Sequence, residues 1–469
     1  MDNPGIDTGT ICAISTPAGT GGIAVIRVSG PDAVDMVAKC WNGTPLPHAA
    51  SHTAHLGRII DPADGSVVDE VVLTLFLAPR SFTGENTVEI SCHGSVWIQR
   101  KIMNVLVGCG CRAATAGEFT RRAFTNGRID LSQAEAIADV IAATSQASHR
   151  IAMSQMRGAF SRQLAALRDQ LLQFVSLMEL ELDFSEEDVE FADRSRLIEL
   201  ATSIETVIGN LADSFSTGNA IKNGLPVAIV GETNAGKSTL LNRLLSDDRA
   251  LVSEIPGTTR DAIEGTITID GILFRLIDTA GLRETSDTIE NMGIERTFQK
   301  ITQAQMILWI IDGTSPLPVT GTASGSILGA ASEKSLIAVI NKCDLMTCHQ
   351  AENMRHTLAG ALPPGTPVIL ISARESIGLD TLTKAITAAA QIPEADGNQV
   401  IVTNARHYQA LQSARQALSR AIAGLSGGLS GDFVSQDIRE AMHYLAEITG
   451  QITTDDILAQ IFSRFCIGK

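Results

Sequence analysis

The chain is poor in aromatic side chains: 3 Trp, 2 Tyr and 14 Phe among 469 residues. Its cores must therefore be filled mainly by aliphatic groups. It lacks a long apolar run. The longest candidate, Val71 to Ala78, is strand-sized and far short of the roughly 18 residues that suggest a membrane span. Met1-Asp2-Asn3-Pro4-Gly5 has neither the basic nor the apolar region of a secretion signal, so a cytoplasmic location is expected. The 8 cysteines (Cys12, Cys40, Cys92, Cys109, Cys111, Cys343, Cys348 and Cys466) are too thinly spread for a disulfide scaffold, and reduced thiols are expected. Zinc is not expected either: Cys109-Gly110-Cys111 near Cys92-His93 does not match paired C-x2-C knuckles. Basic residues are in deficit, 36 against 52 acidic, for a net charge of −16. A general electrostatic nucleic-acid binder is thereby excluded, and any nucleic-acid role must rest on a local patch or a partner protein. What is present is ordinary globular composition, 44% hydrophobic and 19% charged, at a length that suits about three domains.

The texture changes along the chain. Residues 1–127 alternate short β-rich runs with glycines and read as a mixed α+β domain. Ile11 to Ile14, Gly21 to Ile26, Val67 to Phe76 and Thr87 to Ser91 are the expected strands, with a turn over Pro79 to Gly84. His48, His52 and His55 fall in an expected loop or strand entry. Residues 128–222 carry apolar residues at spacings near three and four and read as helical, with an acidic run from Glu179 to Asp193. Residues 223–387 alternate strands and helices, the pattern of a doubly wound parallel sheet. Its expected strands are Pro226 to Val230, Ile267 to Ile269, Leu273 to Ile277, Met306 to Ile311, Leu336 to Ile340 and Val368 to Ile371. Asp270-Gly271 reads as a hairpin turn and residues 313–333 as a mobile surface loop. Residues 388–469 are helical again, with a turn at Gly424-Leu425-Ser426-Gly427. The expected fold is thus multidomain, α/β and α, with an α/β module inserted into a discontinuous helical domain.

Gly231-Glu232-Thr233-Asn234-Ala235-Gly236-Lys237-Ser238 matches G-x4-G-K-[ST] between an apolar strand and a helix. Glycines let the backbone N–H groups face a polyphosphate, and the helix N-terminus adds positive potential. Lys237 is expected on the β and γ phosphates and Ser238 on Mg2+. Asn341-Lys342-Cys343-Asp344 follows a later strand. A carboxylate at Asp344 can accept from guanine N1–H and from its exocyclic amine, and adenine offers no such pair of donors. Ser372-Ala373-Arg374 fits the loop that supports the base. Asp278-Thr279-Ala280-Gly281 supplies a carboxylate near Mg2+ and an N–H for the γ-phosphate, and Thr259 is the expected switch threonine. The residue after Gly281 is Leu282, which cannot orient water. Another group must do so; Glu284, Asp287, Glu290 and Glu295 are candidates, and Arg260 is an alternative cation.

These motifs, with Gly257-Thr258-Thr259-Arg260-Asp261, Ser81-Phe82-Thr83-Gly84-Glu85, Gly117-Glu118-Phe119 and the terminal Phe465-Cys466-Ile467-Gly468-Lys469, resemble the MnmE (TrmE) family of the TrmE-Era-Der class of P-loop GTPases. The resemblance covers the whole chain. It implies an N-terminal folate-binding and dimerisation domain, a discontinuous helical domain and an inserted G domain. It also implies installation of an aminomethyl-type group on C5 of the tRNA wobble uridine by a homodimer with MnmG (GidA), which brings FAD and NADH. A methylene or formyl derivative of tetrahydrofolate would supply the one-carbon unit. The GTP site implied comprises Asn234, Ala235, Gly236, Lys237, Ser238, Thr239, Ser253, Glu254, Ile255, Pro256, Gly257, Thr258, Thr259, Asp278, Thr279, Ala280, Gly281, Asn341, Lys342, Asp344, Ser372, Ala373 and Arg374. Mg2+ falls to Ser238 and Thr259. K+ falls to Asn234, Ser253, Ile255 and Thr258, where it could replace an arginine finger. Glu290 is the implied water-orienting residue. Folate falls to Arg27, Glu89, Arg128 and Lys469, with Arg128 standing where the family usually has Lys. Cys466 is either a thiol near the chemistry or a small apolar residue at a helix end. Two rival readings remain: a ribosome-assembly GTPase, which should carry a basic RNA-binding appendage, and a folate-dependent one-carbon transferase with GTP as a structural ligand.

Overall fold

The computed structural model describes residues 9–183, 194–232, 234–246, 265–277, 301–317, 329, 334–390, 400–463, 465, 467 and 468. Packing divides the chain into two compact units. The first comprises Met1–Ala138, Gln155–Leu177 and Ile438–Lys469, and the second comprises Asp139–Ser154 and Met178–Asp437.

The first unit is organised by a seven-stranded sheet. Its strands are β1 (Ile11–Ile14), β2 (Ile23–Ser29), β3 (Trp41–Asn42), β4 (Thr53–Ile60), β5 (Val67–Phe76), β6 (Thr87–His93) and β7 (Arg112–Ala113), in the order β3-β4-β5-β6-β2-β1-β7. Period-two alternation decides the faces. In β5, Val71, Leu73 and Leu75 are buried, whereas Glu70 and Val72 point the other way. The helix Val96–Gly108 closes the buried side through Gln99, Ile102, Val105 and Leu106, one stripe at helical spacing. Cys12, Cys40, Cys92, Cys109 and Cys111 help fill that same core and act there as small apolar groups. The strand β4 runs through His55, so this histidine lies inside a strand and not in a loop. On the other face Leu56 and Val72 are cross-strand partners and remain exposed.

The C-terminal end of the chain packs within the same unit. Phe462 and Phe465 join Leu131 and Ala134 in a small core, and Ile467 bridges to Ala116. Gly117 explains part of its motif. It sits at φ +66°, and a Cβ there would stand 2.6 Å from the Phe462 carbonyl and 3.0 Å from the Phe465 Cβ. Only a residue without a side chain lets the end of the helix Asp455–Phe462 approach so closely.

The second unit is built on a six-stranded sheet ordered β13-β12-β11-β8-β10-β9. Its strands are β8 (Leu225–Gly231), β9 (Gly265–Ile269), β10 (Ile272–Ile277), β11 (Met306–Asp312), β12 (Ser335–Asn341) and β13 (Val368–Leu370). Every pairing is parallel except β9 with β10, whose two-residue connection, Asp270 and Gly271, takes positive φ at both positions. The uninterrupted apolar run of β11 has its cause here. Met306, Leu308 and Ile310 face one core, while Ile307, Trp309 and Ile311 face another. A strand covered on both faces cannot alternate with polar residues. In the same unit, the helices Arg194–Asp213 and Ala405–Ser426 pack against each other, and small residues such as Ala414, Ala417 and Ala421 are fully buried there. The second helix runs through Gly424 to Ser426, so only Gly427 of the expected turn lies beyond it. Most of residues 313–333 lie outside the described residues.

Candidate functional site

In the second unit, β8 runs directly into the phosphate-binding loop, and the helix Lys237–Ser246 follows it, anchored by buried Leu240, Leu241 and Leu244. Within the loop Ala235 is fully buried, whereas Asn234, Ser238 and Thr239 are exposed. Lys237 Nζ donates to the carbonyls of Gly231 at 2.8 Å and Glu232 at 2.6 Å, closing the loop on itself. Gly236 lies at φ +92°, and a Cβ there would fall 2.1 Å from Asn341 Nδ2. The last glycine of the motif thus makes room for the Asn341 side chain.

Asn341, buried at the end of β12, holds three segments together. Its Nδ2 donates to the Ala235 carbonyl at 2.8 Å, and its Oδ1 accepts from the Ala373 N–H at 3.0 Å. The phosphate loop, the Asn341–Asp344 loop and the Ser372–Arg374 loop are therefore fixed to one another by a single amide. Ser372 is buried, its N–H donates to the Ile377 carbonyl, and its hydroxyl accepts from the Glu375 N–H. Arg374 keeps its side chain in solvent while its carbonyl accepts from Arg243. Lys342 takes a left-handed φ of +65° and its ammonium pairs with Asp312 at 2.6 Å. Asp344 is exposed. Ser253, Glu254, Ile255, Pro256, Gly257, Thr258, Thr259, Asp278, Thr279, Ala280, Gly281 and Glu290 lie outside the described residues.

A second constellation lies in the first unit. Arg27 on β2 and Glu89 on β6 are cross-strand partners, and their side chains pair at 2.8 Å while remaining partly exposed. The Arg27 guanidinium lies 5.6 Å from the ring centres of both Phe82 and Phe119, so two motif aromatics flank one cation. Arg128 runs its stem against Gly84, in the same loop as Phe82. On the neighbouring strand, Ala13 pairs with Arg27. Just beyond it the Ser15 hydroxyl donates to the Gly468 carbonyl at 3.0 Å, which ties the chain's end to this sheet. Cys466 and Lys469 lie outside the described residues.

Beneath these residues is a charged network that the sequence reading did not identify. Arg122, 4% exposed, donates to both oxygens of Glu85 at 3.2 Å, to Glu118 at 3.2 Å and to the Gly9 carbonyl at 2.7 Å. Ser29 donates to Glu85 at 2.8 Å and shares a hydrogen bond with Thr83 at 2.7 Å. Glu118, fully buried, accepts from Arg112 and from both the N–H and the hydroxyl of Thr115. Burial alone would raise the Glu118 pKa, but Arg112, the Thr115 N–H and Arg122 outweigh it and bring it down to about 2. Glu85 and Glu118 stand in the two motifs quoted above. A charged residue inside a motif was the available signal, but only the fold shows that it is buried and paired.

Comparison with known proteins bears on both constellations. The family described as "MnmE helical domain" matches residues 131–466, and "GTP-binding protein TrmE N-terminus" matches residues 10–128. A protein of Bacteroides thetaiotaomicron named tRNA modification GTPase MnmE is 53% identical over 464 residues, covering 98% of this chain and 99% of that protein. One of the same name from Bacteroides fragilis is 52% identical with the same coverage. A third, from Phocaeicola vulgatus, is 48% identical over 501 residues, covering 99% of both chains. A solved structure of Era in complex with MgGDPNP and a segment of 16S ribosomal RNA is 29% identical over 41% of this chain and 65% of that one, with a TM-score of 0.28. With a phosphate-binding loop stapled to a guanine-type loop, both family patterns matched and half of all positions shared over nearly the full length, the chain belongs to the MnmE family of tRNA modification GTPases.

Proposed function

We propose that the chain binds GTP in the second unit and couples its hydrolysis to modification of C5 of the tRNA wobble uridine. The observation that carries the nucleotide reading is the Asn341 amide, which joins the phosphate loop to both base-supporting loops. In this reading Lys237 leaves the carbonyls of Gly231 and Glu232 for the β and γ phosphates. Asp344 and the Ser372–Arg374 loop read the base. The exposed Ser238 hydroxyl, in the first turn of its helix, suits Mg2+, with Thr259 as its partner. Exposed Asn234 suits K+ with Ser253, Ile255 and Thr258, and that cation would offset charge on the phosphates as they separate. Glu290 orients the attacking water.

Arg27, Glu89, Arg128 and Lys469 are proposed to bind a tetrahydrofolate derivative. The partly exposed Arg27–Glu89 pair supports this, since it offers a carboxylate for pterin N–H donors and a cation for a glutamate tail. Exposed Leu56 and Val72 on an uncovered sheet face support a homodimer. Joint action with MnmG on tRNA and a cytoplasmic location complete the proposal. Among the described residues no helix is long and apolar enough to cross a membrane.

The test compares GTP turnover in KCl and in NaCl, together with mass spectrometry of wobble nucleosides from a strain lacking the protein. Faster turnover in KCl and loss of the C5 substituent are expected. Negligible turnover in both salts would favour a folate-dependent transferase for which GTP is only a structural ligand.

A further inference from the structure

We propose that Asp312 is a positioning residue for base selectivity: it holds the Lys342 ammonium and thereby leaves the Asp344 carboxylate open to the guanine edge. The inference rests on the reading that Asp344 recognises the base. Three charged groups crowd the ends of two adjacent strands. Asp312 ends β11, in parallel register with Asn341 at the end of β12, and Lys342 and Asp344 follow Asn341 within three residues. The Lys342 ammonium sits on Asp312 Oδ2 at 2.6 Å rather than on Asp344, its neighbour two residues along the chain.

The surroundings of Asp312 explain that choice. Its Oδ1 accepts from the Thr314 N–H at 2.9 Å and from the Thr314 hydroxyl at 2.6 Å, which fixes the carboxylate from behind. The Gly313 N–H donates to the Asn341 carbonyl at 2.9 Å and ties this turn to β12. The Asp312 side chain is only 12% exposed, so water screens its pair with Lys342 less than it would an open surface pair. Burial raises the Asp312 carboxyl, but the bonds from Lys342 and Thr314 prevail and hold it below the usual carboxylate range. Asp344, by contrast, is exposed, and no described cation lies against it.

Removing the charge at Asp312 releases a point cation on a flexible four-carbon stem. Asp344, an exposed carboxylate two residues along the same loop, is then, within the proposal, the group that the freed ammonium meets. An ion pair there neutralises the acceptor that guanine's N1–H and amine require. It also offers a donor to xanthine, which carries a carbonyl where guanine carries the amine. The loss should therefore appear as a changed preference between two bases, rather than as uniformly weaker binding.

The experiment titrates GDP and XDP against the full chain at constant ionic strength, after melting curves without nucleotide confirm that each variant is folded. In D312N the preference for GDP over XDP is expected to fall about threefold to fivefold, the scale set by one partly exposed ion pair. D312S, which also lacks the charge, is expected to match it. In D312N/K342M no ammonium is left to mask Asp344, and the preference should return to within about twofold of the parent K342M. A purely structural role for Asp312 would not be rescued by deleting a second side chain. Wild-type preference in both D312N and D312S, or no recovery in the double variant, overturns the proposal. D344N separates the two readings. If it retains the preference, base recognition by Asp344 fails and the proposal falls with it; if it loses the preference while D312N does not, only the role of Asp312 is refuted.

Discussion

Replacing Glu118 by Gln tests whether the Gly117-Glu118-Phe119 motif is a buried electrostatic anchor. The carboxylate is fully buried and accepts from Arg112, Arg122 and Thr115, and its pKa is brought from 4.5 to about 2. At about 1.4 kcal/mol per unit, that shift corresponds to about 3 kcal/mol of stability. Gln keeps one acceptor but turns an N–H2 toward donors, so the loss should reach a similar size, about 2–4 kcal/mol. The pH dependence has a definite sense. The folded pKa lies below the unfolded one, so the contribution is complete above about pH 4.5 and disappears as pH falls toward 2. The assay is urea unfolding followed by tryptophan fluorescence in a Trp309→Phe background. The remaining indoles, Trp41 and Trp97, then both report on the first unit. The parent should lose stability between pH 4.5 and the acid limit more steeply than E118Q does. A cost below about 1 kcal/mol, or identical acid limbs, would show that the Glu118 contacts contribute little.

Three further outcomes are expected. Gly236→Ala places a methyl group 2.1 Å from Asn341 Nδ2 at a positive φ, so nucleotide binding measured by calorimetry should be lost while the helical content by circular dichroism persists. Gly117→Ala forces apart the contact with Phe462 and Phe465, and limited proteolysis should then cleave the C-terminal end at least tenfold faster; unchanged cleavage would refute that packing role. Leu56→Asp together with Val72→Asp puts like charges on cross-strand partners of the open sheet face, and light scattering should then report a monomer, against the dimer proposed for the parent.

Much of the fold was legible because local patterns reflect local causes. The run Met306 to Ile311 marked a strand covered on both sides, and the Asp270-Gly271 pair marked a turn that needs two positive φ angles. The strand β4 was hard to read because its alternation places Leu56 on an open face and small or polar residues around it. For the proposed nucleotide site, the spacing of Gly231 to Ser238 and of Asn341 to Asp344 points to the chemistry. It could not show that Asn341 touches Ala235 and Ala373, because those contacts cross 106 and 32 residues of chain. Asp312 escaped notice for the same reason, being an acidic residue at a strand end without a motif around it.

The amino-acid order alone determined the kinds of element, the phosphate loop and the guanine-type loop, since each depends on residues within a few positions of one another. Tertiary structure decided which charges are buried and with whom. Arg27 lies between Phe82 and Phe119, Arg122 joins Glu85 to Glu118, and Lys342 turns to Asp312. A side chain's electrostatic state depends on the groups packed within a few ångströms of it and on how much water they exclude, and both are set only when distant segments meet.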